Sequence, residues 1–257
     1  MATVKFAPND WKFSNQVMTM NAEKQRSVSN DVRQASHVLR NETDAKTKWE
    51  QQSTDKALKL RMGDVTAWRD KVELTLSRTD AEIGALGELK ERAQLAYEED
   101  LVPLNMVGQC QELRERRVSI DLVRDFVEAE LNKEREVIEA IRVRLFEKVG
   151  EALNQESSLQ DSRNQLQMDL MDKCQALEID SDTLQLKEKT DTLTLKEHYT
   201  LQREGVTVDS WNSYSSYNTL KAEEEMKSSA ALRDSIRHTI KQTTLDMDTQ
   251  LQVLFIV

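Results

Sequence analysis

The chain has 257 residues, and its composition is that of an extended helical protein. It contains only 6 Gly and 2 Pro, whereas average usage would give roughly 18 and 13, so it has little material for tight turns. Charged residues make up 32% of the chain and aromatic residues 5%, which argues against a large compact core. The formal net charge of -10 argues against nucleic acid as the main partner, because no basic stripe offsets the phosphate charge.

Residues 1–13 are predicted to form an irregular arm ahead of the first helix. A Pro-Asn-Asp sequence signals a turn there, and the arm carries three aromatic residues, Phe6, Trp11 and Phe13. Two interpretations are open at this point. The aromatic side chains either cover the end of the first helix or form a docking site that inserts into a pocket of a partner.

Residues 14–100 are predicted to form the first long helical segment. Its later part has apolar residues at alternating steps of three and four, for example between Val65 and Val72, which is the spacing of one helix face. Gly84 and Gly87 interrupt this segment, and each costs about 1 kcal/mol relative to Ala in an exposed helix. We expect these glycines to mark the close approach of a neighbouring helix.

Residues 101–183 are predicted to form the second long helical segment, with Pro103 in its first turn and a tight reversal or a kink just before it. One narrow apolar stripe follows this segment with a mean step of about 3.56 residues, between the 3.5 of a strict heptad and the 3.6 of a free helix. We expect this stripe to pack against other helices, because a single helix cannot bury it. Asp169 and Lys173 have the spacing of an exposed ion pair. The apolar members of the stripe are Ile120, Val123, Val127, Leu131, Ile138, Ile141, Leu145, Val149, Leu159, Leu166, Leu170 and Leu177.

The last third of the chain divides into three predicted parts. Residues 184–210 are rich in Thr and fit no sustained helical stripe, so they are predicted to be a linker. Residues 211–250 form a third helix, for which Asp209 or Ser210 is a suitable N-cap. Residues 251–257 form a strongly apolar tail that breaks with the charged style of the helices and is typical of a truncated or alternative product.

No residues carry the pattern of an active site. His37, His198 and His238 stand singly, and Cys110 and Cys174 lie far apart without metal-like spacing. The chain has no Gly-rich phosphate loop, no secretory signal, and no apolar run long enough to span a bilayer. The sequence therefore predicts an intracellular protein that is not an enzyme, without cofactor, metal or membrane contact.

The ordered blocks of this sequence resemble the tektin family of coiled-coil proteins. A block from Val38 to Thr43 is followed by Trp49, and this arrangement is similar to a family block that contains Arg-Asn-Glu-Thr. Further blocks follow in the family's order up to about Thr249. The sequence stops before a signature loop that the family has in its second half. Those blocks include Asp64-Val65 with Trp68, Glu82-Ile83, Pro103-Leu104, Cys110, Leu113-Arg114-Glu115, Asp121-Leu122-Val123, Leu177-Glu178-Ile179-Asp180, Trp211 and Ala222-Glu223-Glu224-Glu225-Met226-Lys227.

The resemblance implies an all-α fold of extended long helices that form a coiled-coil rod, as an antiparallel hairpin or a segmented rod, and not a compact globule. It also implies a filament-forming protein inside the doublet microtubules of cilia and flagella, in the cytoplasmic cytoskeleton of the axoneme. The implied partners are other tektins, the tubulin lattice and other microtubule inner proteins, and the implied role is to stabilise the axoneme for ciliary and sperm motility. A cytosolic coiled-coil adaptor or scaffold without an axonemal role is the alternative.

Overall fold

The computed structural model describes residues 5–186 and 205–256, with side chains up to Thr249. These residues form four α-helices and one 3₁₀ turn, and they contain no strand. The prediction of an all-α protein with long helices is confirmed. The elements in chain order are α1 (Pro8–Glu99), α2 (Leu101–Glu115), the 3₁₀ turn (Ser119–Asp121), α3 (Phe126–Gln185) and α4 (Val208–Ile256).

The contacts divide the chain into two units, Met1–Met62 and Gly63–Val257. In the described part of the first unit the chain is helical from Pro8 onward, and no residue there is buried. The expected irregular arm is therefore shorter than predicted, because Asp10 accepts a 3.1 Å hydrogen bond from the backbone N–H of Ala7. This bond satisfies an end donor that the helix itself leaves free.

In the second unit, α1 and α3 run antiparallel. Asp80 of α1 accepts a 2.5 Å hydrogen bond from Arg163 of α3. The later α1 residue Lys90 pairs with the earlier α3 residue Glu156 at 2.5 Å. Because the later residue of one helix meets the earlier residue of the other, the two helices run in opposite directions.

Helix α2 continues the direction of α1, so the junction between them is a kink and not a reversal. Only Asp100 separates the two helices, and its backbone has helical φ and ψ. Pro103 lies in the first turn of α2, where its missing N–H costs no helical hydrogen bond. The side chain of Gln111 in α2 donates to Asn132 near the start of α3 at 2.9 Å, which places α2 antiparallel to α3 as well.

The chain reverses at residues 116–125, which we call the α2–α3 turn. Asp125 caps α3 by accepting a 3.0 Å hydrogen bond from the N–H of Glu128, and it also pairs with the guanidinium group of Arg114. Ser119 has a φ of 59°, which is a left-handed conformation uncommon outside glycine. The prediction of one continuous helix over residues 101–183 is therefore wrong, because a capped helix start interrupts it.

Helix α4 returns alongside the other two and runs parallel to α1. Trp68 of α1 donates a 2.9 Å hydrogen bond from its indole Nε1 to Asn212 at the start of α4. Arg144 near the start of α3 pairs with Asp246 near the end of α4 at 2.9 Å. The second unit is thus an up-down-up bundle of α1 with α2, then α3, then α4.

The core of the bundle consists of three apolar clusters. The central cluster joins Leu86 of α1, Leu159 of α3 and Ile236 of α4, all fully buried. Gly84 and Gly87 do not serve close packing within the chain, because a Cβ added at either would meet nothing within 4 Å. The expectation of a close helix approach at these glycines is wrong for the described residues.

The predicted linker and third helix are only partly within the described residues. Helix α3 ends at Gln185 and α4 begins at Val208, and residues 187–204 of the Thr-rich segment lie outside the described residues. Thr207 caps α4, since its hydroxyl oxygen accepts a 3.2 Å hydrogen bond from the N–H of Ser210. The apolar tail belongs to α4 up to Ile256, and its side chains lie outside the described part.

Candidate assembly surfaces

The apolar stripe predicted for the second segment forms the seam of the bundle over most of its length. Its buried members lie in α3, where they face both α1 and α4, and three further members are half-buried. The buried residues are Leu131, Ile138, Ile141, Leu145, Leu159 and Leu166. The half-buried residues are Val149, Leu170 and Leu177.

The first three members of the predicted stripe lie outside this seam. Ile120 belongs to the 3₁₀ turn and is 87% exposed, and Val123 precedes the N-cap of α3 and is also exposed. Val127 lies in the first turn of α3, on its exposed side. The reversal at residues 116–125 removes these residues from the helical register, so they do not lie on the buried stripe, contrary to the prediction.

Charged residues that interrupt the stripe tie the helices together. The stripe positions Glu156 and Arg163 pair with Lys90 and Asp80 of α1, each at 2.5 Å. All four side chains remain partly solvent-exposed. Because these two positions face α1, each charge has its ionic partner across the interface. Partly exposed pairs of this kind contribute little stability, but they discriminate against misaligned helices.

The most deeply buried ion pair among the described residues lies in a cluster around Lys173. Lys173 is 2% exposed and Asp169 is 3% exposed, and the two form an ion pair within α3. The ammonium group also donates to the hydroxyl oxygen of Ser215 in α4 at 2.5 Å. It lies 5.1 Å from the centre of the Trp211 ring, within the range of a cation–π contact. The prediction of an exposed pair is wrong here, because α4 covers both residues.

A second tie joins α1 and α4 through Glu82. The carboxylate accepts two hydrogen bonds from the guanidinium group of Arg233, at 2.8 and 2.9 Å, and one from the hydroxyl of Ser229 at 2.7 Å. Bidentate pairs of this geometry fix orientation as well as proximity. Nothing in the sequence pattern predicts the pairing of Glu82 with Arg233. The two are separated by 150 residues, and the spacing within one helix does not show which residues meet across helices.

Two carboxyl groups near the end of the bundle where α3 begins have displaced pKa values. Burial raises the pKa of Glu134 above its usual range, because the charged form loses hydration. The pKa of Asp246 is lowered by hydrogen bonds from Gln242 and from Arg144, both of which favour the charged form. These shifts predict that the stability of this end of the bundle depends on pH.

Within residues 5–62 of the first unit, no side chain is buried and most are exposed. Phe6, Trp11 and Phe13, the residues predicted for partner docking, are all strongly exposed. Trp11 and Phe13 lie on α1 itself, and Phe6 lies just before it. The described contacts of the first unit do not cover these rings.

One face of the first unit carries an exposed stripe at helical steps of three and four, with three wider steps of seven residues, which we call the N-terminal stripe. Apolar residues dominate it, and lysines interrupt it. Exposed apolar faces of this length on a helix mark protein–protein contact. Its members are Phe13, Val17, Met20, Lys24, Val28, Val32, Leu39, Lys46, Trp49, Lys56 and Leu60.

Helix α3 carries a second stripe on the side away from the seam, which we call the outer stripe. It follows the same steps of three and four, and acidic residues interrupt it. Phe146 within it contacts Tyr97 of α1, with ring centres 5.9 Å apart. Its members are Glu136, Glu139, Val143, Phe146, Gly150, Leu153, Ser157, Asp161, Asn164, Met168 and Met171.

The described residues contain no group of His, Cys, Asp and Glu that could hold a metal ion. None of the helices in the described ranges is both long enough and apolar enough to cross a membrane. Cys110 and Cys174 are both free and exposed.

Comparison with known proteins agrees with this arrangement. The model of the Tektin family matches residues 11–254. Tektin-2 from Mus musculus is 37% identical, with 97% of this chain and 60% of the relative covered. Tektin-2 from Homo sapiens is 36% identical over the same shares, and Tektin-B1 from Strongylocentrotus purpuratus is 37% identical, with 76% of this chain and 49% of the relative covered.

The chain spans about 60% of the length of the Tektin-2 relatives that it matches. The matched range contains α1 from Trp11 onward, α2, α3 and nearly all of α4. It therefore includes the seam, the buried Lys173 cluster and both exposed stripes. The family match over residues 11–254, together with the all-α bundle, shows that the chain belongs to the tektin family.

Proposed function

We propose that this protein is a structural, non-enzymatic subunit of filaments inside the doublet microtubules of cilia and flagella. Its partners in this role are other tektins, the tubulin lattice and other microtubule inner proteins. By lining the doublet it stabilises the axoneme and supports ciliary and sperm motility. Family membership supports this role.

The observation that carries the proposal is the exposed N-terminal stripe. A helix with such a stripe gains its stability from packing, and none of the stripe residues is buried in the described part of the first unit. A lattice of long helices supplies that partner. Many weak contacts along a lattice add up to strong retention through effective concentration.

The cytosolic adaptor is not favoured by a specific observation. That alternative depended on a docking function of the Thr-rich segment at residues 184–210, and most of this segment lies outside the described residues. The exposed stripes suit a filament subunit better than a regulated adaptor, because they extend over many helical turns.

Detergent fractionation of cilia tests the proposal. The full chain, tagged and expressed in ciliated cells, is expected to remain with the doublet microtubules after a mild detergent has removed membrane and matrix. Leu145→Lys, which places a charge in the seam, is expected to be lost from the doublets. Leu74→Lys changes an exposed leucine and is expected to be retained. Release of the wild-type chain with the matrix would contradict the proposal.

A further inference from the structure

We infer that the outer stripe of α3 is a docking surface for the N-terminal stripe of a second copy of this chain. The inference rests on the proposed function, because it names the contact by which one filament subunit holds the next. It follows from three properties of the two stripes, which are their exposure, their matching periodicity and their opposite charge.

Both stripes are uncovered and have the same periodicity. The N-terminal stripe runs from Phe13 to Leu60 at steps of three, four and seven, and the outer stripe runs from Glu136 to Met171 at steps of three and four. Seven is the sum of three and four, so both stripes keep to one helix face. Val32, Val143 and Leu153 on them are all more than half exposed. Two helices with such stripes bury them against each other by inserting side chains of one into gaps of the other.

The outer stripe contains a gap that favours this contact. Gly150 lies between Phe146 and Leu153, and a Cβ placed on it would meet nothing within 4 Å. The space above this glycine is therefore open. A large apolar side chain from a second helix can enter it without displacing any part of the bundle.

The charges on the two stripes are complementary. Lys24 and Lys56 interrupt the N-terminal stripe, whereas Glu136 and Asp161 interrupt the outer stripe. The same asymmetry holds for the whole units. Residues 1–62 carry 11 Lys and Arg against 7 Asp and Glu, and residues 63–257 carry 25 against 39. Opposite charges favour docking between the two surfaces and oppose the pairing of either surface with itself.

This contact joins two different surfaces, so each copy has one of each to offer. An interface of this kind extends into an open filament when its rotation does not close into a ring. It thereby gives a direct physical route from the single chain to a filament.

Sedimentation of the purified full chain tests the inference. The wild-type chain is expected to associate with itself, and the apparent dissociation constant is expected to rise at high salt, because salt screens exposed charges. Leu153→Asp is expected to weaken association by about tenfold or more. Leu74→Asp is the matched control, since both leucines are 52% exposed on bundle helices, and it is expected to leave association unchanged.

Charge reversal tests which surfaces meet. The Lys24→Glu, Lys56→Glu variant and the Glu136→Lys, Asp161→Lys variant are each expected to associate about tenfold more weakly or worse than wild type. A mixture of the two is expected to regain association, because the reversed stripe of each finds a complementary stripe on the other. Circular-dichroism melting is expected to match wild type for both, since all four residues are exposed.

Three results would overturn the inference. They are a wild-type chain that stays monomeric at every concentration, equal effects of the two leucine variants, and a mixture that associates no better than its components. Association that persists in all variants would remove this docking surface while leaving the proposed function intact. The proposed function itself is decided by retention on the doublets, which this experiment does not measure.

Discussion

Lys173 is the most deeply buried charged residue in the described part of the bundle. Its ammonium group is enclosed by Asp169, Ser215 and the ring of Trp211, and no water-exposed alternative is within reach of a 2% exposed side chain. The second carboxylate oxygen of Asp169 is buried without a hydrogen-bond partner among the described residues. The buried charge of Asp169 therefore depends on the Lys173 ammonium group for its compensation.

Lys173→Met is expected to destabilise the chain by about 3–5 kcal/mol, because it leaves the carboxylate of Asp169 buried and uncompensated. Chemical denaturation followed by circular dichroism measures this loss. The double variant Lys173→Met, Asp169→Leu removes both charges and is expected to recover most of the stability. If the single and double variants were equally unstable, the ion pair would not be the cause.

Glu134 is expected to make stability depend on pH. Because the pKa of Glu134 is raised above its ordinary value of 4.5 in the fold, the folded state binds a proton there more readily than the unfolded state. Its contribution to stability is therefore greatest below pH 4.5 and is lost as pH rises through the raised pKa. Glu134→Gln is expected to be more stable than wild type at pH 7.

The difference in unfolding free energy between Glu134→Gln and wild type, measured from pH 4 to pH 7, checks this prediction. The variant's advantage should grow with pH across this window. A constant difference would show that titration of Glu134 is not linked to folding. Comparison of the two chains cancels the contributions of the many other carboxyl groups, which titrate alike in both.

At the scale of one helix, α3 has two faces that differ sharply in their tolerance of charge. Ile141 lies in the seam and is fully buried, whereas Val143 lies on the outer stripe and is 57% exposed. Ile141→Asp is expected to cost more than about 3 kcal/mol, because it buries an unpaired charge. Val143→Asp is expected to change stability by about 0.5 kcal/mol or less. Thermal melting of both variants checks the register, and equal effects would refute it.

The α2–α3 turn is expected to loosen in acid. The pKa of Asp125 is lowered, first by the hydrogen bond from the N–H of Glu128 and then by that from Arg114. Its contribution to stability is therefore present above the ordinary pKa of 3.8 and is lost as pH falls through the lowered value. Asp125→Ala is expected to lower stability at pH 7.

The gap between Asp125→Ala and wild type is expected to narrow as pH falls below 3.8. Unfolding by denaturant at successive pH values measures this gap. Asp121→Ala is the matched control, because Asp121 is an exposed carboxylate in the same turn. A gap that stays constant down to the lowest pH would mean that the charge of Asp125 does not brace the turn.

The sequence predicted the helices better than it predicted their direction changes. The apolar spacing identified the seam because the periodicity of a helix is a local property, and most stripe members from Leu131 onward are buried or half-buried. The region of Pro103 was expected to contain a tight reversal or a kink, and it contains the kink, whereas the reversal lies at residues 116–125. The true signal was the capping pattern of Asp125 and Glu128, whose spacing is that of a capping box.

The polar ties were beyond prediction for a different reason. Lys173 and Asp169 have the spacing of a solvated pair, and only the arrival of Ser215 and Trp211 from α4 encloses them. Glu82 and Arg233 are likewise brought together by the fold alone. A single sequence shows which residues share a helix face, but it does not show which helix will cover that face.

At the scale of the whole molecule, the two units differ in the burial of their helix faces and in their charge. The second unit buries one face of each helix and ties the helices with charges, so that it is stable as a bundle. The first unit leaves its stripe uncovered and carries an excess of basic residues. This division favours a subunit that completes its packing only in an assembly.

Electron cryotomography of ciliary doublets from cells that express the full chain with a compact, electron-dense tag tests the account most directly. The tag is expected to decorate the inner surface of the doublet at regular intervals along its length. Tag density on the outer surface, in the ciliary matrix, or absent from the axoneme would contradict it.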